Sequence, residues 1–420
     1  MRPARTTALV LAAVLLGTAA QAQLRVPALG VPALPAALPP VQPPPLPVLQ
    51  ELRANLARDL LRRHPQLIEA DPAGQPIRRG ELVWISPTAG AVVAARAEGF
   101  AVVREEALPE LELRELVMRA PRGVATAQAA DRLRALDPGA QVDFNHLYTP
   151  GGELAPGPDG AAHAAVPGAR RIGLVDGGVD TQHAALRSAT VRRWGCEGRE
   201  VASDHGTAVA SLLVGRDGRA FAGAAPGAAL HAADVYCGHP AGGAADEVAR
   251  ALAWMARERV AVVNVSLVGP PNRLLERAVA ALLRHGHVIV AAVGNDGPAA
   301  PPLYPASYPG VVGVSGVTPA RQALPEAAQG PQVMFAAPGT GIAAAKAGGG
   351  YADARGTSFA APFVAALLAQ ALPEPNPQAA AAALARVAAG ALDLGAPGRD
   401  PVFGIGLVGE SLRVAADRLR

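Results

Sequence analysis

Several things this chain has little of narrow its reading before any motif is considered. No run of Lys and Arg interleaved with aromatics occurs, and aromatics make up only 4% of the residues, so a nucleic-acid footprint is not supported. The basic residues are nearly all Arg, which reads as base composition rather than as a binding patch; a net charge of +3 demands no partner. Beyond the N-terminus no apolar run has the roughly 20 residues a membrane span needs. The stretches around Ala261 and Val290 are short and broken by Asn264, Ser266 and Asn295. The C-terminal region lacks the alternating amphipathic strands of a membrane barrel, so an autotransporter passenger is set aside. There are two cysteines, Cys196 and Cys237. Paired cysteine spacing of zinc type is therefore missing, and no metal site or cofactor is expected.

What is present comes in blocks. Arg2 and Arg5, the apolar run Ala8–Ala20 and the small-x-small triplet Ala20-Gln21-Ala22 make a secretory signal, residues 1–22, with an uncleaved anchor as the alternative. The expected location is secreted or periplasmic, with no membrane span once the signal is removed. In an exported chain two cysteines suggest one disulfide; free thiols, or a metal held with His239, remain open. Residues 23–50 form a Pro-rich linker, because proline fixes φ and removes a backbone donor. Glu51–Ala70 has helical periodicity through Leu52, Leu56, Leu60 and Leu61.

Residues 51–150 then form a small α+β domain. Its strands are expected at Glu81–Ser86, Phe100–Glu105, Leu111–Arg119 and Gln141–Leu147, and its helices at Gly90–Glu98 and Thr126–Leu136. That is the split βαβ, ferredoxin-like order. Residues 151–165, rich in Gly, Pro and Ala, read as an exposed, cleavable linker.

From residue 166 to 420 the pattern is α/β. Apolar runs (Ile172–Asp176, Leu230–Tyr236, Val260–Leu267, Val288–Gly294, Val311–Val317) alternate with helical stretches (His205–Gly215, Ala244–Arg257, Leu274–His285, Thr357–Ala371). Continuous Val, Ile, Ala and Leu between helices mark a doubly wound, mostly parallel sheet. Ligands of such sheets bind beyond the C-terminal strand ends, where Asp176 and Asn295 fall.

A nucleophilic serine needs a base and a carboxylate to orient that base. Ser358 sits in Gly-Thr-Ser-Phe-Ala, and no His follows it. The α/β-hydrolase order, which puts His after Ser, is thereby excluded. The order here is Asp176, His205, Ser358. Asp176 ends a strand in Val-Asp-Gly-Gly-Val-Asp, and His205 opens His-Gly-Thr-Ala-Val-Ala. Ser358 opens a helix in Gly-Thr-Ser-Phe-Ala-Ala-Pro, with Pro362 expected near its start, and Ala292–Gly297 reads Ala-Val-Gly-Asn-Asp-Gly. These four motifs in this order resemble the subtilases over roughly Val166 to Val408.

The resemblance implies a subtilisin-type sheet and a secreted serine endopeptidase, with Asp176, His205 and Ser358 as triad and Asn295 as oxyanion donor. It makes residues 51–150 a propeptide, an intramolecular inhibitor of the same chain. The partner is a protein or peptide substrate, paired with Ser266, Leu267, Val268 and Gly269. Leu303, just before Tyr304-Pro305, would floor the first specificity pocket and shrink it; the alternative is that it turns into the core. Two departures stand out: Gly177 where the family has Ser or Thr, and Val268 where Gly is usual. A different reading is a binding module on an inactive domain, against which the complete triad argues. Two decoys fail. Gly404-x-Gly-x-x-Gly409 has no βαβ unit left to complete, and His285-Gly-His287 ends a helix with no carboxylate near it in sequence.

Overall fold

The computed structural model describes residues 57–156, 171–218, 221–239 and 242–414. The signal segment, the Pro-rich stretch, the first residues of the 51–70 helix and most of the 151–165 linker lie outside the described residues.

The strands are β1 (Ile68–Ala70), β2 (Pro76–Ile85), β3 (Ala101–Leu108), β4 (Leu113–Arg119), β5 (Gln141–Pro150), β6 (Glu153–Pro156), β7 (Arg171–Asp176), β8 (Val191–Trp194), the two-residue pieces β9 (Arg216–Asp217) and β10 (Phe221–Ala222), β11 (Ala229–Asp234), β12 (Gly243–Ala244), β13 (Val262–Val265), β14 (Leu267–Val268), β15 (Val288–Ala292), β16 (Val312–Val317), β17 (Val333–Pro338), β18 (Ile342–Ala345) and β19 (Tyr351–Arg355). The helices that matter here are α1 (Ala89–Ala97), α2 (Thr126–Leu136), α3 (Asp204–Val214), α4 (Ala245–Arg257), α5 (Arg273–Arg284), α6 (Thr357–Ala371) and α7 (Pro377–Ala389).

The larger layer is a sheet of seven parallel strands in the order β17-β16-β15-β13-β7-β11-β8. Its inner strands are buried on both faces, as their unbroken apolar runs require. One face carries α3, α6 and α7 over a core that includes Ile172, Val209, Val290, Phe335 and Phe363. The other carries α4 and α5 over Val175, Leu252, Val263, Leu282 and Ile289.

The N-terminal sheet pairs its strands antiparallel in the order β5-β2-β4-β3. Its α1 and α2 cover one face around Trp84, Leu116, Met118 and Leu133. The opposite face, through Val83, Ile85 and Leu113, enters the same core as α4 and α5. This side of the sheet also supplies partners to the first turns of both helices. Asp246 N–H donates to Asn145 Oδ1 (3.4 Å) and Arg273 N–H donates to Asp143 Oδ2 (2.8 Å). Those amides have no partner inside their own helices, so the sheet satisfies donors that would otherwise need water. Arg104 reaches both Glu115 and Asp246 at this seam. Burial nevertheless pushes the Glu115 carboxyl above its usual range, against the pull of Arg104.

Two expectations are corrected. The helix read over Glu51–Ala70 ends at residue 63, and Ile68–Ala70 is a strand paired with β2. Pro65 explains the break, since the residue before a proline is driven out of the helical region. Residues 151–156 are not an unpaired linker: Gly151 is buried, and Glu153–Pro156 is a strand on β19, with Glu153 and Ala155 on its exposed side.

Cys196 and Cys237 are joined, with Cα atoms 5.0 Å apart, so neither sulfur is free to hold a metal with His239. The bond ties the turn after β8 to the segment after β11. It closes a loop of sequence separation 41, which the chain-entropy estimate converts to about 3–4 kcal/mol. A Cys196→Ala, Cys237→Ala double variant is expected to lose that much in denaturant unfolding. Two free thiols in the mass spectrum of the unreduced protein would refute the bond.

Candidate active site

Asp176 is the last residue of β7 and is fully buried. Its Oδ1 accepts from the Gly177 N–H (2.6 Å). The Gly177 departure has a local cause. A Cβ there would lie 2.5 Å from Ser203 Oγ. Ser203 is fixed in that space because it caps α3, accepting from the Gly206 N–H (3.0 Å) and donating to Gly178 O (3.1 Å). At Gly178 a Cβ would lie 1.9 Å from Val201 O, so the chain around Asp176 is sealed by backbone.

His205 follows in the first turn of α3. Its Nδ1 lies 2.9 and 3.0 Å from the two oxygens of Asp176. A carboxylate only accepts, so Nδ1 carries the proton and Nε2 is left with the lone pair. Nε2 is buried and makes no hydrogen bond, and the ring leans on Phe359 at 5.2 Å between centroids. Close by, Tyr236 is half-buried with its hydroxyl enclosed near Asp176 and Asp234, and desolvation first, then those charges, drives its phenol well above its usual range. A cavity of about 300 Å³ opens beside His205, lined by Asp176, Ser203, Tyr236 and Pro150 among others.

Ser358 is the second residue of α6 and fully buried. Its hydroxyl donates to Ser266 O (3.2 Å), not to His205. Pro362 is the sixth residue of this helix, beyond the first turn, so its missing N–H does leave a carbonyl without its helical partner. That carbonyl belongs to Ser358. The Ser266 hydroxyl fills the gap, donating to Ser358 O (3.1 Å), while Asn264 Nδ2 donates to Ser266 Oγ (2.8 Å). Ser266, read from the sequence as a substrate contact, thus holds the Ser358 backbone through its side chain.

Asn295 follows β15. Its Oδ1 accepts from the Thr357 N–H (3.0 Å), which fixes the amide so that Nδ2 faces the cleft. Nδ2 donates to the carbonyl of Gly151, and the Ser358 N–H donates to the same oxygen (3.2 Å). Two donors converging on one carbonyl beside a serine hydroxyl can stabilise an oxyanion.

The chain thus lays its own residues through the cleft. Thr149 and Pro150 pair antiparallel with Val268 and Leu267, and Leu147 and Tyr148 pair with β12. Tyr148 is fully buried over Gly269, where a Cβ would lie 2.5 Å from its ring; its hydroxyl donates to Pro270 O (2.8 Å). Leu303 is buried, with its Cδ1 2.4 Å from where a Cβ on Gly294 would stand. Gly269 and Tyr304 exchange two backbone bonds of 3.0 Å beside it. Sequence reasoning missed Gly151 and Gly152 as occupants of the cleft. The signal available was a Gly-Gly pair directly after the last strand of the N-terminal domain.

Comparison with known proteins gives the arrangement its relatives. Residues 169–406, more than half of the chain, match the pattern described as the subtilase family, peptidase S8. The minor extracellular protease Epr of Bacillus subtilis (strain 168) is 34% identical over 207 residues, 49% of this chain and 32% of that protein. Subtilisin of Bacillus pumilus is 30% identical over 203 residues, 46% of this chain and 74% of that protein. The chain thus spans about a third of Epr, and about half of several other subtilisins that it matches. In fold it resembles fervidolysin from Fervidobacterium pennivorans, a keratinolytic enzyme related to subtilisin. The TM-score is 0.67 at 22% identity, covering 81% of this chain and 61% of that one. With its parallel sheet and the motifs around Asp176, His205 and Ser358 inside that match, the chain belongs to the subtilase family of serine proteases.

Proposed function

We propose that this chain is a secreted serine endopeptidase made as an inhibited precursor. Ser358 Oγ attacks a peptide carbonyl, and His205 Nε2 takes its proton and later gives it to the leaving amine. Asp176 keeps the ring in the tautomer that leaves Nε2 basic and stabilises the imidazolium. The Ser358 N–H and Asn295 Nδ2 hold the oxyanion. For the proton to move, the Ser358 hydroxyl leaves Ser266 O and turns to His205.

One observation carries this reading. The Gly151 carbonyl is held by the two oxyanion donors while His205 Nδ1 rests on Asp176. A peptide group is therefore already seated as a substrate would be. Residues 51–150 are the inhibitor in this proposal, and 166–420 the catalytic domain. The ferredoxin-like strand order, the apolar seam with α4 and α5, and the last strand running into the cleft support that role. Export rests on the N-terminal signal and on the extracellular relative. Among the described residues no helix is long and apolar enough to cross a membrane.

A fluorophosphonate probe tests the reading directly, because it reacts only with an activated serine. Incubated with the protein after its N-terminal region has been released, it is expected to label Ser358 and no other serine. An unlabelled Ser358 in folded, processed protein would favour the binding-module alternative.

A further inference from the structure

The two residues that meet at the nucleophile are both glycines, and the walls around them are filled. A Cβ on Gly152 would lie 2.6 Å from Phe359 Cε2 and 3.1 Å from Cδ2, with the Arg355 carbonyl 3.2 Å away on another side. Phe359 is fully buried in the core under α6, so its ring cannot swing out to make room. On the other side of the bond, a Cβ on Gly151 would lie 3.0 Å from Ser358 Oγ and 3.7 Å from Val268 Cγ1. Asn295 Nδ2 stands 3.5 Å from the same point, and a Cβ on Gly294, just before Asn295, would lie 2.4 Å from Leu303 Cδ1. The approach itself depends on a third glycine. A Cβ on Gly356 would stand 2.8 Å from Gly152 Cα and 3.0 Å from Gly151 O.

The chain is extended on both sides of this pair. Before it, Thr149 and Pro150 lie on β14; after it, Glu153–Pro156 lie antiparallel on β19, with Glu153 opposite Arg355 and Leu154 opposite Ala354. A segment gripped on both flanks has little freedom to shift by a residue, so the bond presented to Ser358 is fixed by pairing as well as by side chains.

We propose that this protease is built to cut between two glycines, that Phe359 sets the glycine after the cut, and that Gly151–Gly152 is the first bond it cuts in its own chain. The proposal rests on the reading of Ser358 as nucleophile. Ser358 Oγ bonds to the Gly151 carbonyl carbon as its proton passes to His205 Nε2. That proton goes to the Gly152 nitrogen as the C–N bond breaks, leaving Gly151 as an ester on Ser358 and Gly152 as a free amine. Water then splits the ester through His205, giving the Gly151 carboxylate and restoring the Ser358 hydroxyl. The substrate class is polypeptide with a Gly-Gly pair in an extended stretch. A large aromatic four residues before the cut fits the Tyr148 pocket.

The test uses the full chain and then peptides. N-terminal sequencing of the processed protein is expected to begin Gly-Glu-Leu-Ala, from Gly152. The processed enzyme is then given Tyr-Thr-Pro-Gly-Gly-Glu-Leu-Ala and its variants. Valine in place of the second glycine is expected to lower kcat/KM by about 100-fold, the scale of a pocket that must reject added methyl groups. Phe359→Ala is expected to narrow the Gly-over-Ala ratio at that position at least about tenfold; should that variant not fold, the wild-type peptide series decides alone. An N-terminus elsewhere, or equal rates for Gly-Gly and Gly-Val, overturns the inference. Fluorophosphonate labelling of the same sample separates the failures. With Ser358 labelled, only the glycine specificity falls; without labelling, the nucleophile assignment falls too.

Discussion

Ser358→Ala is expected to stop both peptide hydrolysis and self-cleavage while leaving a folded, single-piece chain. The substitution removes one hydroxyl whose hydrogen bond in the structure goes to Ser266 O. The bonds that hold the local backbone, Ser266 Oγ to Ser358 O and the Ser358 N–H to Gly151 O, do not involve that hydroxyl. Folding stability should therefore change by no more than about 1 kcal/mol, the net worth of an ordinary hydrogen bond. The rate should fall on the order of 10⁴–10⁶-fold, because members of a triad act as a unit and the oxyanion donors alone give only residual catalysis. The readouts are kcat/KM on a peptide and the intact mass of the purified chain. Turnover near the wild-type rate would sink the assignment. A variant that accumulates only in a shortened form would show that another protease removes the N-terminal region.

The side chains gathered at the candidate site could be named from the sequence because subtilase motifs fix residue type, order and local backbone together. Asp176 at the end of an apolar run, and His205 and Ser358 each in the first turn of a helix, are placed by elements whose own patterns are strong. Continuous apolar strands such as Val288–Ala292 announce burial on both faces, and the Thr357–Ala371 helix was bounded correctly from sequence. Strands whose pairing is decided elsewhere were not legible. Val191–Trp194 carries two arginines at the sheet edge, and Tyr351–Arg355 alternates small and charged residues, so neither reads as core. Glu153–Pro156 is a strand because the cleft presents β19 to it; its own residues carry no such preference. Distance-dependent facts were out of reach as well. Gly177 looked like a weakened motif until Ser203 was seen in the space a side chain would need. Pro362, expected near the start of its helix, is its sixth residue, and its missing donor leaves the Ser358 carbonyl to Ser266.

Asn295→Ala is expected to lower kcat by about 10²–10³-fold with little change in KM, or about 2.7–4 kcal/mol of transition-state stabilisation. The reason lies in what the amide does when charge develops. In the ground state Nδ2 and the Ser358 N–H both donate to a neutral carbonyl oxygen, a bond worth little net against water. When that oxygen becomes an anion in a buried site, each donor bond strengthens, so the loss appears in the chemical step and not in binding. Asn295 also accepts from the Thr357 N–H at 3.0 Å, and a critic could assign the loss to that structural bond. Asn295→Asp separates the two. It keeps an oxygen for the Thr357 N–H but replaces the donor by a carboxylate facing the oxyanion. If the donor matters, Asp is as damaging as Ala or worse, because like charges then oppose each other. If the Thr357 bond matters, Asp restores the rate. Steady-state kinetics of the three proteins on one peptide, with intact-mass analysis of self-cleavage alongside, decides between them. An Asn295→Asp enzyme with wild-type kcat would remove Asn295 from the oxyanion site.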